Sequence, residues 1–224
     1  MKRSLQETLV RVLILLGGLV IAHLGVTLFL LADLGADPFN VLIQGLLRTI
    51  QATGASFPLL THGNVHMAVC FLIILVLLVV DRSYVKIGTL LCMVCGGPII
   101  DLFSLLLTPV FNAFPSLLFK VPMLAAGCVI LAFGMTLVIT SHAGTGPNDL
   151  VAVVISDKTH AKFSIIRVVV DCSFVLAGFL MGGVFGVGTL ICACLVGPVA
   201  GFFLPRSGKI VDGIVGKMSP KESP

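Results

Sequence analysis

The chain has 224 residues, of which 58% are hydrophobic and 11% charged, and its formal net charge is +4. A soluble globular domain carries roughly 25% charged residues, so this composition excludes one, and so small a charge leaves no footprint for nucleic acid. Seven cysteines all fall inside apolar runs, where a small polarizable side chain packs well, so they report no redox compartment.

Six apolar runs follow one another along the chain, at 12–32, 67–80, 87–110, 121–140, 165–180 and 184–204. A bilayer core of about 30 Å needs about 20 helical residues, and these runs lack the alternation of a barrel strand. The expected fold is all-α and polytopic, with six transmembrane helices. The Met1-Lys2-Arg3 start has the charge of a secretory signal. The stretch after it is span-length with no clear small-residue cleavage site, so it reads as a retained first helix.

Laying 18–42 on 127–151 without gaps gives eight identities in 25 positions: Gly18, Val20, Ile21, Gly25, Thr27, Leu28, Gly35 and Pro38. Laying 86–103 on 186–203 gives seven in 18: Gly88, Thr89, Leu90, Cys92, Gly97, Pro98 and Phe103. The chain is therefore read as a first repeat at 1–110, a second at 111–205 and a basic cytoplasmic tail at 206–224, the first repeat's nine extra residues falling in the loop at 51–63. Repeats of three spans each must be inverted relative to one another, the plan of many secondary transporters.

With both termini cytoplasmic, 12 of the 14 basic residues lie inside, leaving Arg48 and Lys120 outside. An alternative has 37–51 and 147–157 crossing as well, giving eight helices in two parallel repeats with the same charge count. At about 22 Å and about 16 Å of helix, these segments are short for a span, and a re-entrant or interfacial helix in each repeat is preferred.

Those two segments carry the main functional signal. Leu34-Gly35-Ala36-Asp37-Pro38-Phe39-Asn40 and Ala143-Gly144-Thr145-Gly146-Pro147-Asn148-Asp149 each end a span with Gly and restart a helix with Pro at its first position. Non-helical backbone at membrane depth survives only inside protein or around a wet cavity. Asp37, Pro38, Asn40, Gln44, Pro147, Asn148 and Asp149 are thus the expected substrate-binding residues, against the plainer reading of interfacial helices with solvated faces. Asp37, Asn40, Gln44 and Arg48 share one helix face.

Ionisable groups in apolar runs cost free energy and tend to face cavities, pair or relay protons. Asp33, His66, Asp101, His142 and Asp171 are accordingly expected on a coupling or solute pathway. Asp171 has Arg167 one turn away, so a structural ion pair competes with a proton relay. His23 reads as a packing residue. His62 and His66 have a metal-ligand spacing but no further ligands, and neither a metal nor a cofactor is expected. Cys92 and Cys95 form a CxxC deep in a span, away from the electropositive setting that thiol catalysis needs. No catalytic motif appears, so an enzyme is not expected.

The run Ala32-Asp33-Leu34-Gly35-Ala36-Asp37-Pro38-Phe39-Asn40-Val41, followed later by Ile87-Gly88-Thr89-Leu90, resembles the YczE/YyaS/YitT family of bacterial membrane proteins. His142 and the Gly146-Pro147 step are the second-half version. The resemblance extends to about Leu204 and implies a bacterial cytoplasmic-membrane protein, without a substrate. The repeat points to a transporter of a small polar or charged solute in the lipid bilayer, with proton coupling and a homodimer left open. The alternative is a non-transporting membrane factor that supports or regulates a partner complex through the basic tail.

Overall fold

The computed structural model describes residues 4–54 and 59–218. Residues 1–3, part of the joining loop at 55–58, and 219–224 of the basic tail lie outside the described residues, together with the sequence expectations placed on them. Among the described residues the chain forms eight α-helices and one 3-10 turn, with no strand. The helices are α1 (Leu5–Ala32), α2 (Pro38–Ala52), α3 (His62–Asp81), α4 (Ile87–Ala113), α5 (Leu117–Ser141), α6 (Pro147–Thr159), α7 (Phe163–Leu180) and α8 (Val187–Met218). Five described helices, α1, α3, α4, α5 and α8, are long and apolar enough to cross a membrane. The protein is therefore a multi-pass membrane protein, as its composition requires. The basic segment from Arg206 is the continuation of α8 as far as Met218, held by buried Ser207, Val211 and Val215.

The centre of the fold is the crossing of α1 with α5, which begin the two repeats. Lipid provides no hydrophobic drive between helices, so association depends on close packing by small residues. A side chain on Gly25 would meet the Leu131 amide nitrogen at 2.5 Å and the Gly127 carbonyl at 2.6 Å, and one on Gly134 would run into the Ala22 backbone. Gly18 lies against Gly134, and Gly25 against Gly127, so the two helices run antiparallel. Thr27 and Thr136 are fully buried, and each hydroxyl donates to a carbonyl of its own helix, His23 at 2.8 Å and Phe133 at 2.7 Å. That satisfies the hydroxyl without opening the seam.

A later helix then lies beside each of these two. On α4, Gly88 meets the Leu15 side chain and Gly96 meets His23, so α4 runs parallel to α1. On α8, Gly188 approaches Leu124, Phe203 packs on Phe133 and Ser207 bonds Thr136 at 2.7 Å, so α8 runs parallel to α5. Val211 and Val215 complete that seam against Val10 of α1. α3 lies antiparallel to α4, with Gly63 and Gly97 in backbone contact.

The short helices tie the halves together unequally. α2 lies on α7 with Gly45 and Gly178 in backbone contact, reinforced by Arg48 donating to the Gly182 carbonyl (2.9 Å) and Thr49 to the Met181 carbonyl (3.1 Å). The matching pair, α6 and α3, has Val154 and Leu78 at those repeat positions. Between these helices lies an apolar groove of about 490 Å³ lined by Val69, Ile73, Leu77, Val151 and Val154 among others. Lys158 with Asp81 (3.3 Å) and Tyr84 with Asp157 (2.9 Å) close one end of this contact.

The α1–α5 seam makes a direct prediction. Gly134→Val should destabilise the purified protein by at least ~1–3 kcal/mol, the cost of overpacking a closed interface, read as a lower midpoint of thermal unfolding in detergent. Gly17→Ala, at a position with nothing within 4 Å, should leave that midpoint unchanged.

Candidate functional site

The two chain breaks between α1 and α2 and between α5 and α6 are built alike and locked reciprocally. α1 ends on Asp33 (φ 53°) and α5 on His142 (φ 54°), both in the left-handed region. Asp and His are among the residues that tolerate it as single caps. Two residues on, Gly35 (φ 109°) and Gly144 (φ 158°) also hold positive φ, and they meet a second need as well. Gly35 lies against the Thr189 backbone amide and hydroxyl, and Gly144 against Gly88 and Thr89, so neither has room for a side chain.

Across these contacts the Gly188 amide donates to the Leu34 carbonyl at 2.7 Å, and the Gly88 amide to the Ala143 carbonyl at 3.2 Å. Each half therefore satisfies backbone that the other half exposes. Beside each bond sits a buried threonine hydroxyl, Thr89 or Thr189, that has no partner. Leaving a buried hydroxyl unpaired costs about 1–3 kcal/mol, so a symmetric pair of them at the two breaks calls for a reason beyond packing.

The second helices start as the prolines require. Pro38 and Pro147 occupy first-turn positions. Asp37 caps α2 by accepting from the Asn40 amide (3.3 Å) and also takes the Asn40 side-chain NH₂ (2.7 Å). Asn40, 3% exposed, places its Oδ1 2.8 Å from His62 Nε2. His62, whose spacing to His66 suited a metal pair, is thereby committed to an amide. On α6, Gly146 caps without a side chain, and the polar group is Asp149, whose carboxylate accepts from Arg167 at 2.6 Å and from Asn148 at 3.2 Å.

Arg167 also donates to Asp171 at 2.9 Å, so one guanidinium spans two carboxylates from different helices. The i,i+4 pair was legible from spacing, whereas the bridge to Asp149 was not. Asp37 lies within electrostatic reach of Arg167 and Asp171. Asp37, Asp149, Arg167 and Asp171 are half-buried.

The remaining expected residues divide between this region and its frame. Asp101 is tied to the start of α3, accepting from the Thr61 hydroxyl (2.5 Å) and the Gly63 amide (2.9 Å). Gln44 accepts from the Val184 amide at 2.8 Å, joining α2 to the turn before α8. Asp33 is exposed and lies 3.7 Å from Arg48, and His142 is an exposed helix cap. His66 is 7% exposed, and its ring packs edge-on against Phe39 and His23 at centroid distances of 5.2 and 5.8 Å. Sequence reasoning read His23 as a packing residue. Its only signal was a lone imidazole in an apolar span, which also fits packing.

Comparison with known proteins agrees with this architecture. The Haemophilus influenzae (strain ATCC 51907 / DSM 11121 / KW20 / Rd) relative, an uncharacterized protein, is 31% identical over 193 residues, covering 85% of this chain and 82% of its own. From Bacillus subtilis (strain 168), the uncharacterized membrane protein YczE is 28% identical over 95% of this chain and 94% of its own. The uncharacterized protein YyaS of the same strain is 26% identical over 84% and 89%. No solved structure matches the chain. The family model for DUF6198, a family of unknown function, matches residues 9–205, so all eight helices but the two ends lie within the match, and the chain is a YczE-like membrane protein belonging to this family.

Proposed function

We propose that the protein is a permease for a small polar or charged solute, working by alternating access between two inverted three-span repeats. The observation that carries this reading is the pair of polar groups beside the chain breaks, Asp37 with Asn40 at one and Asp149 with Arg167 and Asp171 at the other, with Asp37 within electrostatic reach of Arg167 and Asp171. Ionisable groups in an apolar helical protein are costly and mark solute or ion paths. Binding at the repeat interface, between broken helices, is the arrangement of many secondary transporters.

The antiparallel crossing of α1 and α5 supports the inverted plan. If α3 and α4 both cross, α5 opposes α1 only when α2 does not. α2 has the shape of a re-entrant helix: it starts with Phe39 packed on His66 and returns with Arg48 to the end of α1 at Asp33. The unequal contacts of the short helices, tight at α2 with α7 and loose at α3 with α6, fit a molecule closed at one end of its pathway. Twelve basic residues then face the cytoplasm, and the membrane is the bacterial inner membrane.

Two experiments test this. In proteoliposomes screened against a panel of amino acids, organic acids, amines and inorganic ions, at least one solute should cross. For that solute, Asp37→Ala, Asn40→Ala and Asp149→Ala should each lower flux about tenfold or more, equivalent to ~1.4 kcal/mol. An inert panel, or flux indifferent to all three changes, refutes the permease. Single cysteines at Arg48→Cys and Lys86→Cys should label with impermeant reagent from outside and inside respectively, and the reverse pattern would establish eight spans.

A further inference from the structure

His23 of α1 and His66 of α3 come together against α4 at a residue with no side chain. A Cβ on Gly96 would lie 3.0 Å from His23 Nε2 and 3.4 Å from His66 Nε2, so both nitrogens converge on the space that Gly96 leaves empty. His23 Nδ1 is 2.8 Å from the Leu19 carbonyl. A carbonyl only accepts, so this nitrogen carries the hydrogen and His23 Nε2 is left as a base aimed into the gap. His66 Nδ1 is buried with no partner, so nothing in the surroundings sets its tautomer.

We propose that His23 and His66 share a single proton across the gap at Gly96, and that solute movement is coupled to proton movement at this site. The inference rests on the permease reading for the coupling and on geometry alone for the shared proton. In the neutral pair the His66 hydrogen stands either on Nδ1, leaving two lone pairs beside the gap, or on Nε2, with one N–H beside the His23 lone pair. One proton taken from the aqueous pathway puts hydrogens on both nitrogens of one ring and leaves the other ring's Nε2 lone pair to accept across the gap. A second proton is opposed by like charge at a ring separation of 5.8 Å. Release returns the proton to the pathway, and no other group is oxidised or reduced.

The surroundings leave the pair few competitors. On α3, His62 lies one turn before His66 and is engaged with Asn40, while buried Cys70 lies one turn after. α2 brings the Phe39 ring, with Asn40 and Asp37 behind it. α4 brings Gly96 and, one turn before it, buried Cys92. The nearby acidic groups are already engaged: Asp101 accepts from the Thr61 hydroxyl and the Gly63 amide, and Asp149 from Arg167.

The test uses the full chain, ¹⁵N-labelled at histidine, in lipid nanodiscs, with imidazole spectra followed from pH 8 to pH 4. His23 and His66 should titrate jointly, taking up one proton between them, and His23→Gln should shift the His66 titration. In Gly96→Ala the added methyl comes within 3.0 Å of His23 Nε2 and 3.4 Å of His66 Nε2, and the joint step should split into independent ones. A His66 titration unchanged by His23→Gln overturns the shared proton. In proteoliposomes, the ratio of flux with and without an imposed pH gradient should exceed one for the unaltered protein and fall to one in His66→Gln. A ratio of one in the unaltered protein overturns the coupling while the titration still decides the pair. A panel in which nothing moves removes the permease reading, and with it the coupling, and leaves the shared proton to the spectra.

Discussion

The structure depends on what happens to backbone hydrogen-bonding groups when a helix is interrupted inside an apolar protein. Lipid cannot satisfy a free N–H or C=O, so an interruption is tolerated only where protein or water reaches it. Here each half answers for the other: Leu34 and Ala143 present carbonyls past the ends of α1 and α5, and the Gly188 and Gly88 amides at the starts of α8 and α4 come to meet them. Neither half could fold alone with its break satisfied in this way. The small residues follow from the same demand, since Gly35, Gly88, Gly144 and Gly188 all sit where a side chain would hold these groups apart.

The α1–α5 crossing is the second consequence. Bonds at both breaks demand that the two first helices lie close enough for the start of each last helix to reach the opposite break. Gly18, Gly25, Gly127 and Gly134 bring their backbones into contact. This is packing without a hydrophobic drive, which explains why the seam uses hydrogen-bonded threonines and bare glycines in place of large apolar knobs. The last helices then lie outside this pair, where many large side chains of α4 and α8 face outward.

Much of this frame was legible in the sequence because it repeats. Glycines and prolines recurring at fixed offsets marked the breaks, the starts of α4 and α8 and the two threonines, and backbone demands of this kind restrict residue type sharply. The apolar runs located the six longer helices, five of them long and apolar enough to cross a membrane, although α1 begins earlier, at Leu5, and α8 runs on to Met218. Less legible was anything that depends on contact between distant segments with unlike sequence. Gly45 and Gly178 carry the closest contact between α2 and α7, yet each looks like an ordinary small residue in its own helix. The Arg167–Asp171 pair could be read from helical spacing, while the third member, Asp149, is on another element. Gln44 and Asp33 share composition with binding residues, but one bonds the backbone at Val184 and the other lies exposed beside Arg48.

The chemistry differs from the frame in one respect: it is not duplicated. At the repeat positions of Asp37, His23, His66, Arg167 and Asp171 stand Gly146, Ala132, Ile166, Met67 and Phe71, and only Asn40 meets a polar counterpart, Asp149. Two identical charged halves facing each other across the pseudo-symmetry would place like charges together in a low-dielectric interior, at high cost. Dividing the groups instead, with imidazoles and an Asp–Asn cap on the first half and a guanidinium between carboxylates on the second, lets one interior region hold several ionisable groups with their partners beside them. The two backbone breaks, alike in their turns and glycines, thus carry unlike side chains, an Asp–Asn cap beside one and a guanidinium between two carboxylates beside the other.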